Sequence, residues 1–232
     1  MMILIVLMSC VQDQIEQPDI QDSEFQKIVQ AVESDREAMG SPNVSFLLFQ
    51  DGEIIFSQGW GETHSGEQID ENTRFRIGSV TKSMTAASVF SLGIPLDTPV
   101  QDIVSSIDLL KSPNEIAQIT TQHLLEHSAG LVDQVGVSEE QSLSSFMEDT
   151  FFSQMFVIAP PGEVWNYSNL NYIVAGYVAE EYSGENYHEM MDAQLFSPLD
   201  MTRTAFDAQT VLSDGNWARG NTGVELITPS SY

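Results

Sequence analysis

The chain has 232 residues, 42% of them hydrophobic and 9% aromatic, which supplies one good-sized core and excludes both a disulfide-stapled miniprotein and a disordered chain. Against 34 acidic residues stand 8 Lys and Arg, for a net charge of −26. Phosphate backbones and anionic lipid repel such a surface, so nucleic-acid binding is excluded as a main role and a solvated acidic face is expected.

The single cysteine, Cys10, excludes an intrachain disulfide and a cysteine metal cluster. It follows MMILIVLMS, an apolar run far short of the ~20 residues of a spanning helix, and precedes polar VQDQIEQPD. This pattern reads as an export segment. Leu7-Met8-Ser9-Cys10 resembles a bacterial lipoprotein signal, in which Cys10 becomes the lipidated first residue, although no Lys or Arg leads the apolar run. Residues 1–21 are therefore expected to be signal and polar spacer, and residues 22–232 one domain. The expected location is exported: periplasmic, or membrane-anchored through Cys10.

Residues 22–39 place Phe25, Ile28, Val29, Val32 and Met39 on one side of a helical wheel, with Gly40 as a stop. Next, VSFLLFQ and EIIFSQGW flank Asp51-Gly52, a dipeptide suited to a type I′ hairpin. Residues 44–49 do not alternate cleanly, so helices are expected to cover both faces of the sheet. From about residue 79 the pattern is mostly helical, with breaks at Gly93, Pro113, Gly130, Pro160 to Gly162, Gly184 and Pro198. A lone hairpin is at best marginally stable, so later strands are expected beyond residue 232, and the isolated chain is expected to associate through its open sheet edge.

The segment FRIGSVTK leads into SMTAASVFSL, so a helix is expected to begin near Ser79 and to stop at Gly93. At a helix N-terminus the unpaired N–H groups favour the oxyanion of acyl transfer. Lys82 lies one turn along on the same side, in reach of the Ser79 hydroxyl. A surface helix start explains Ser-x-x-Lys equally well. Here, however, lysines occur only at 27, 82 and 111, and Ser79 is the one serine three residues ahead of any of them. A second feature is PPGEVWNYSN, residues 160–169, a rigid turn ahead of the apolar run LNYIVAGYVAEEY. Tyr167 reads as a cleft or a core phenol, and Asn169 as a substrate ligand or the helix N-cap.

Taken in order, GSVTK, HLLEHSAGL (123–131) and NYSNLNY (166–172) resemble the serine β-lactamase and penicillin-binding-protein superfamily, with Tyr-Ser-Asn as in its class C branch. The likeness runs from about residue 44 to 207, taking in PLDTPV (95–100) and PLDMT (198–202). It implies an α/β (α+β) fold: a β-lactamase/transpeptidase-like sheet flanked by helices, beside a helical region from about residue 93 to 195. It also implies Ser79 as acylated nucleophile, Lys82 and Tyr167 as the proton-handling pair, Asn169 as substrate-binding residue, and no cofactor or metal. The expected reaction is hydrolysis of an ester, a β-lactam or a D-alanyl peptide, so the expected partner is a small-molecule or peptide substrate. The family's third motif, Lys or His, then Thr or Ser, then Gly on a late strand, has no match. The second oxyanion donor belongs to that strand, and losing one such donor costs ~10²–10³ in rate.

Tyrosine and lysine ordinarily titrate near ~10 and ~10.4, so whichever serves as base near pH 7 must be lowered by about 4 kcal/mol. Burial would lower Lys82, and a charged Lys82 would lower Tyr167; the residues alone leave both open. Two other functions remain on the page. One is a penicillin-sensing receptor, or inactive fragment, that is acylated without turnover. The other is a zinc peptidase, since His123, Glu126 and His127 fit His-x-x-Glu-His if both histidines share a helical face. His64 and His188 are expected to be isolated at the surface.

Overall fold

The computed structural model describes residues 23–104, 118–133, 142–147, 157–221 and 226–227. The export reading of residues 1–9 and Cys10 lies outside them. In chain order the elements are α1 (Ser23–Met39), β1 (Val44–Gln50), β2 (Glu53–Trp60), α2 (Thr81–Ser91), α3 (Val100–Ile103), α4 (Thr121–Leu125), α5 (Leu143–Phe146), α6 (Asn169–Ser183), α7 (Tyr187–Met191), α8 (Ala208–Asp214), β3 (Gly220–Asn221) and β4 (Leu226–Ile227). A 3-10 turn, Gly78–Val80, leads into α2, and α7 runs on as a π-helical stretch, Asp192–Phe196. The mixed α/β class expected from the sequence is what the chain adopts. It divides into two units, Met1–Gly78 with Asp200–Ser231, and Ser79–Leu199 with Tyr232.

In the first unit β1 and β2 form an antiparallel hairpin, Val44 opposite Trp60, with a bulge after Leu48. Asp51 (φ 53°) and Gly52 (φ 93°) both take positive φ, as a type I′ turn requires. Helix α1 lies on the sheet, its Phe25 ring stacked on Phe56 at 5.4 Å, while Trp60 Nε1 donates to Glu33 Oε1 at 3.3 Å. Two expectations fail here. Met39 is 64% exposed, because it is the last helical residue and the chain turns away at Gly40 (φ 61°); the half-buried Arg36 holds the stripe position one turn after Val32. Nor is β1 buried on both faces: Ser45 alone is buried in it and Phe49 is 56% exposed. The apolar cover concentrates on Phe56 and Trp60, beneath α1.

The late part of this unit adds two short strands to the mostly helical pattern read from the sequence. β3 pairs with β4 antiparallel, and single bridges join Thr63 to Ala218 and Arg74 to Trp217. Arg74 Nε donates to the Arg203 carbonyl (2.9 Å), and the Arg203 guanidinium grips both Asp214 oxygens at 2.7 and 2.8 Å. This bidentate pairing is the main force holding the Asp214 carboxyl below the usual carboxylate range. His64 is not isolated: it stacks on Trp217 at 4.4 Å and its Nδ1 accepts from Arg219 Nε at 3.2 Å.

The second unit is organised on α6, which packs against α2, α3, α4, α5 and α7. The Ser168 hydroxyl caps α6 by accepting from Leu170 N–H, and Gly184 (φ 74°) closes it. Val174 to Glu180 are buried without interruption, so this helix is apolar nearly all round. Its one buried carboxylate, Glu180, accepts from Tyr187 N–H (2.6 Å) and the Ser144 hydroxyl. Leu124, Tyr177 and Met190 are fully buried in the same unit. Truncating Leu124 to Ala is expected to cost about 2–5 kcal/mol, read as a lower denaturant midpoint at unchanged slope.

Candidate active site

Every residue singled out by the sequence for acyl transfer falls in the second unit, and the fold brings all four together. The 3-10 turn places Ser79 at the start of α2, exposed, and α2 is uncharged apart from Lys82, which is half-buried. Lys82 Nζ donates to Ser79 Oγ at 3.2 Å and to Asn169 Oδ1 at 2.7 Å. Ser79 Oγ also lies 2.9 Å from Tyr167 OH. The ammonium therefore sits among a hydroxyl, an amide oxygen and the Tyr167 ring, whose centroid is 5.0 Å away.

The Tyr167 loop reaches this position because it is zipped along the segment after α4. Ile158 N–H donates to the Gly130 carbonyl (2.9 Å), Gly162 N–H to that of Ser128 (2.8 Å), and Asn166 N–H to that of His127 (2.8 Å). The Asn166 side chain adds a bond to the Leu131 carbonyl at 3.0 Å. Gly130 (φ 74°) allows the close approach, since a Cβ there would stand 2.1 Å from the Ala159 carbonyl oxygen. A turn over residues 161–163 thus leads into residues 164–168, which form no regular element, and the helix starts at Asn169.

Asn169 is not the N-cap; Ser168 is. This leaves the Asn169 amide free to receive Lys82. Asp133 orients it, accepting Asn169 N–H at 2.9 Å and Asn169 Nδ2 at 3.4 Å. Asp133 is a residue that sequence reasoning missed; its one visible cue is its place just after the SAGL loop. The Tyr167 phenol is held below the ordinary tyrosine value, first by hydrogen bonding to Lys82 and then by the Ser79 hydroxyl, against an opposing push from burial.

The zinc reading loses its geometric premise. Helix α4 ends at Leu125, Glu126 is its C-cap, and His127 turns left-handed at φ 60°, so the two histidines share no helical face. His123 Nδ1 accepts the Thr120 N–H in a capping box, and His127 Nδ1 accepts the Ser168 N–H. The Glu126 carboxylate is taken by Gln122. Among the described residues no cluster of three His, Cys, Asp or Glu is arranged to hold a metal.

Residues 28–227 match the family model described as Beta-lactamase. The chain is 29% identical over 181 residues to the esterase EstB of Burkholderia gladioli, covering 69% of this chain and 46% of the esterase. It is 24% identical over 174 residues to penicillin-binding protein 4* of Bacillus subtilis, covering 70% of this chain and 37% of that protein. The chain thus spans less than half the length of these curated relatives. Among solved structures, the octameric penicillin-binding protein homologue of Pyrococcus abyssi superposes with a TM-score of 0.73 at 25% identity, covering 89% of this chain and 50% of that one. The family match takes in the Ser-x-x-Lys helix, the SAGL loop and the Tyr-Ser-Asn turn together, and the chain belongs to the beta-lactamase family, which here spans esterase and penicillin-binding relatives.

Proposed function

We propose that this domain is a serine hydrolase that transfers an acyl group to Ser79 and then to water. The observation that carries the reading is Ser79 Oγ lying within hydrogen-bond reach of both Tyr167 OH (2.9 Å) and Lys82 Nζ (3.2 Å). A nucleophile, a proton acceptor and a charge that favours the acceptor's ionised form are the parts that nucleophilic catalysis needs. Tyr167, as phenolate, takes the Ser79 proton while Oγ attacks the substrate carbonyl carbon. The phenol then returns that proton to the departing alcohol or amine. Water attacks the acyl-serine in the second half, giving up its proton to the same phenolate, and Ser79 recovers a proton as the carboxylic acid leaves. Lys82, anchored on Asn169, keeps the phenolate favourable throughout, and Asn169 also faces the substrate. Esters, β-lactams and D-alanyl peptides share the electrophilic carbonyl this chemistry requires. The relatives' names favour the first two classes: an esterase and a penicillin-binding protein.

Treating the protein with a fluorophosphonate probe is expected to place one adduct on Ser79, located by peptide mass spectrometry, and Ser79→Ala is expected to lose it. No adduct on the wild type, or equal labelling of the variant, overturns the reading. With a p-nitrophenyl ester, steady release after the burst marks a turning-over hydrolase. A stoichiometric burst that stops, with the acyl mass retained on Ser79, marks a receptor instead.

A further inference from the structure

We infer that His127, through its imidazole Nδ1 acceptor, is the positioning residue that sets the Tyr167 phenol against Ser79. The inference deepens the acyl-transfer reading and rests on it. His127 holds the chain on either side of the tyrosine. Its carbonyl accepts from Asn166 N–H at 2.8 Å, and its Nδ1 accepts from Ser168 N–H at 3.3 Å. The same Nδ1 lies 3.1 Å from Asn171 Nδ2, on the first turn of α6. Residue 167 is thereby pinned from both neighbours to one residue, by its backbone carbonyl on one side and its ring nitrogen on the other. The rings pack too: His127 is 4.5 Å from Tyr167 and 5.2 Å from Tyr172, centroid to centroid, and Tyr172 is tied by its own hydroxyl to the Leu125 carbonyl at 3.0 Å.

Two donors converging on Nδ1 fix the tautomer. The lone pair is at Nδ1 and the proton at Nε2, since a proton at Nδ1 would face the Ser168 N–H head on. The neutral ring this requires agrees with its surroundings, where burial first and the Lys82 charge second push His127 below its usual value. Its backbone also sits at φ 60°, a region that asparagine enters more readily than other non-glycine residues. The Oδ1 of an asparagine there occupies much the place of Nδ1 and accepts the same bonds, while an alanine offers neither acceptor nor ring. Misplacing a catalytic group by ~1 Å can cost about 10²-fold, so the acceptor, and not bulk alone, should govern the chemistry at Ser79.

The test compares wild type, His127→Ala, His127→Asn and His127→Phe, each with its Tyr167→Phe counterpart. The maximal rate of fluorophosphonate labelling is expected to fall about 30- to 100-fold in His127→Ala and His127→Phe with the half-saturating probe concentration unchanged, and to return to within about tenfold of wild type in His127→Asn. Independently of activity, the ultraviolet titration of Tyr167, taken as the difference from the Tyr167→Phe counterpart, should move back towards an ordinary tyrosine in His127→Ala and stay lowered in His127→Asn. Wild-type labelling rates in His127→Ala, or an unmoved Tyr167 titration there, overturn the inference. So does a His127→Asn protein that is folded yet as impaired as His127→Phe. A wild type that takes no label sinks the acyl-transfer reading instead, and the phenol titration still decides whether His127 positions Tyr167. If the alanine variant does not fold, the contrast between the asparagine and phenylalanine variants decides in its place.

Discussion

Tyr167→Phe is expected to lower the rate of Ser79 acylation by about 10²- to 10⁴-fold, the usual worth of one positioned proton acceptor. The ring is retained, so its packing against His127 (4.5 Å) survives, and the loss is confined to the hydroxyl that lies 2.9 Å from Ser79 Oγ. Folding should change little, because Tyr167 is 41% exposed and an exposed hydroxyl adds little to stability. The pH profile gives a second check. The phenol accepts a proton only when ionised, so the rate rises with pH and levels off above the Tyr167 value. Lys82 and Ser79 hold that value below the ordinary ~10, which places the limb at lower pH than an unassisted tyrosine would give. Tyr167→Phe should lack the limb altogether. A variant within about threefold of wild type, with the limb intact, would remove Tyr167 from the proton path.

A stability loss at least as large as that of Leu124→Ala is expected at Gly130. Two penalties coincide there: a backbone φ of 74° that a side chain seldom tolerates, and an Ala159 carbonyl oxygen 2.1 Å from where the new Cβ would stand. Left-handed strain costs of order 1–3 kcal/mol and overpacking a similar amount, so Gly130→Ala should lose about 2–6 kcal/mol. For a chain of this length that is a fall in Tm of roughly 4–24 °C. The clash also pushes against the loop held by the bond from Ile158 N–H to the Gly130 carbonyl, so labelling of Ser79 should slow even well below the transition. A variant that melts with the wild type would show that the two segments can part without cost.

How far the sequence foretells this arrangement depends on the range of each interaction. Ser79 and Lys82 are three residues apart on one helix, so their encounter follows from helical geometry. The hairpin turn was legible because positive φ at two successive positions demands residues such as Asp51 and Gly52. Tyr167 and Asn169 stood out through the proline-glycine turn and the family likeness. Asp133 did not, and His127 did so only as a zinc candidate and within the HLLEHSAGL segment: they act on residues 36 and 41 positions away, and no periodicity links an acceptor to a donor across a loop. The cap stayed open for a narrower reason. Ser168 and Asn169 are adjacent and both favour caps, so only coordinates could separate them. β3 and β4 span two residues each, too few for any alternation to register. Met39 fitted the wheel and lies exposed, since a wheel knows nothing of where the neighbouring surface stops.

The division of labour at the head of α6 carries one more implication. Because the Ser168 hydroxyl secures the helix start, the Asn169 side chain carries no capping duty, and replacing it should leave α6 folded while removing the acceptor that holds Lys82. Libraries built at position 169 should therefore yield folded proteins far more often than libraries built one residue earlier.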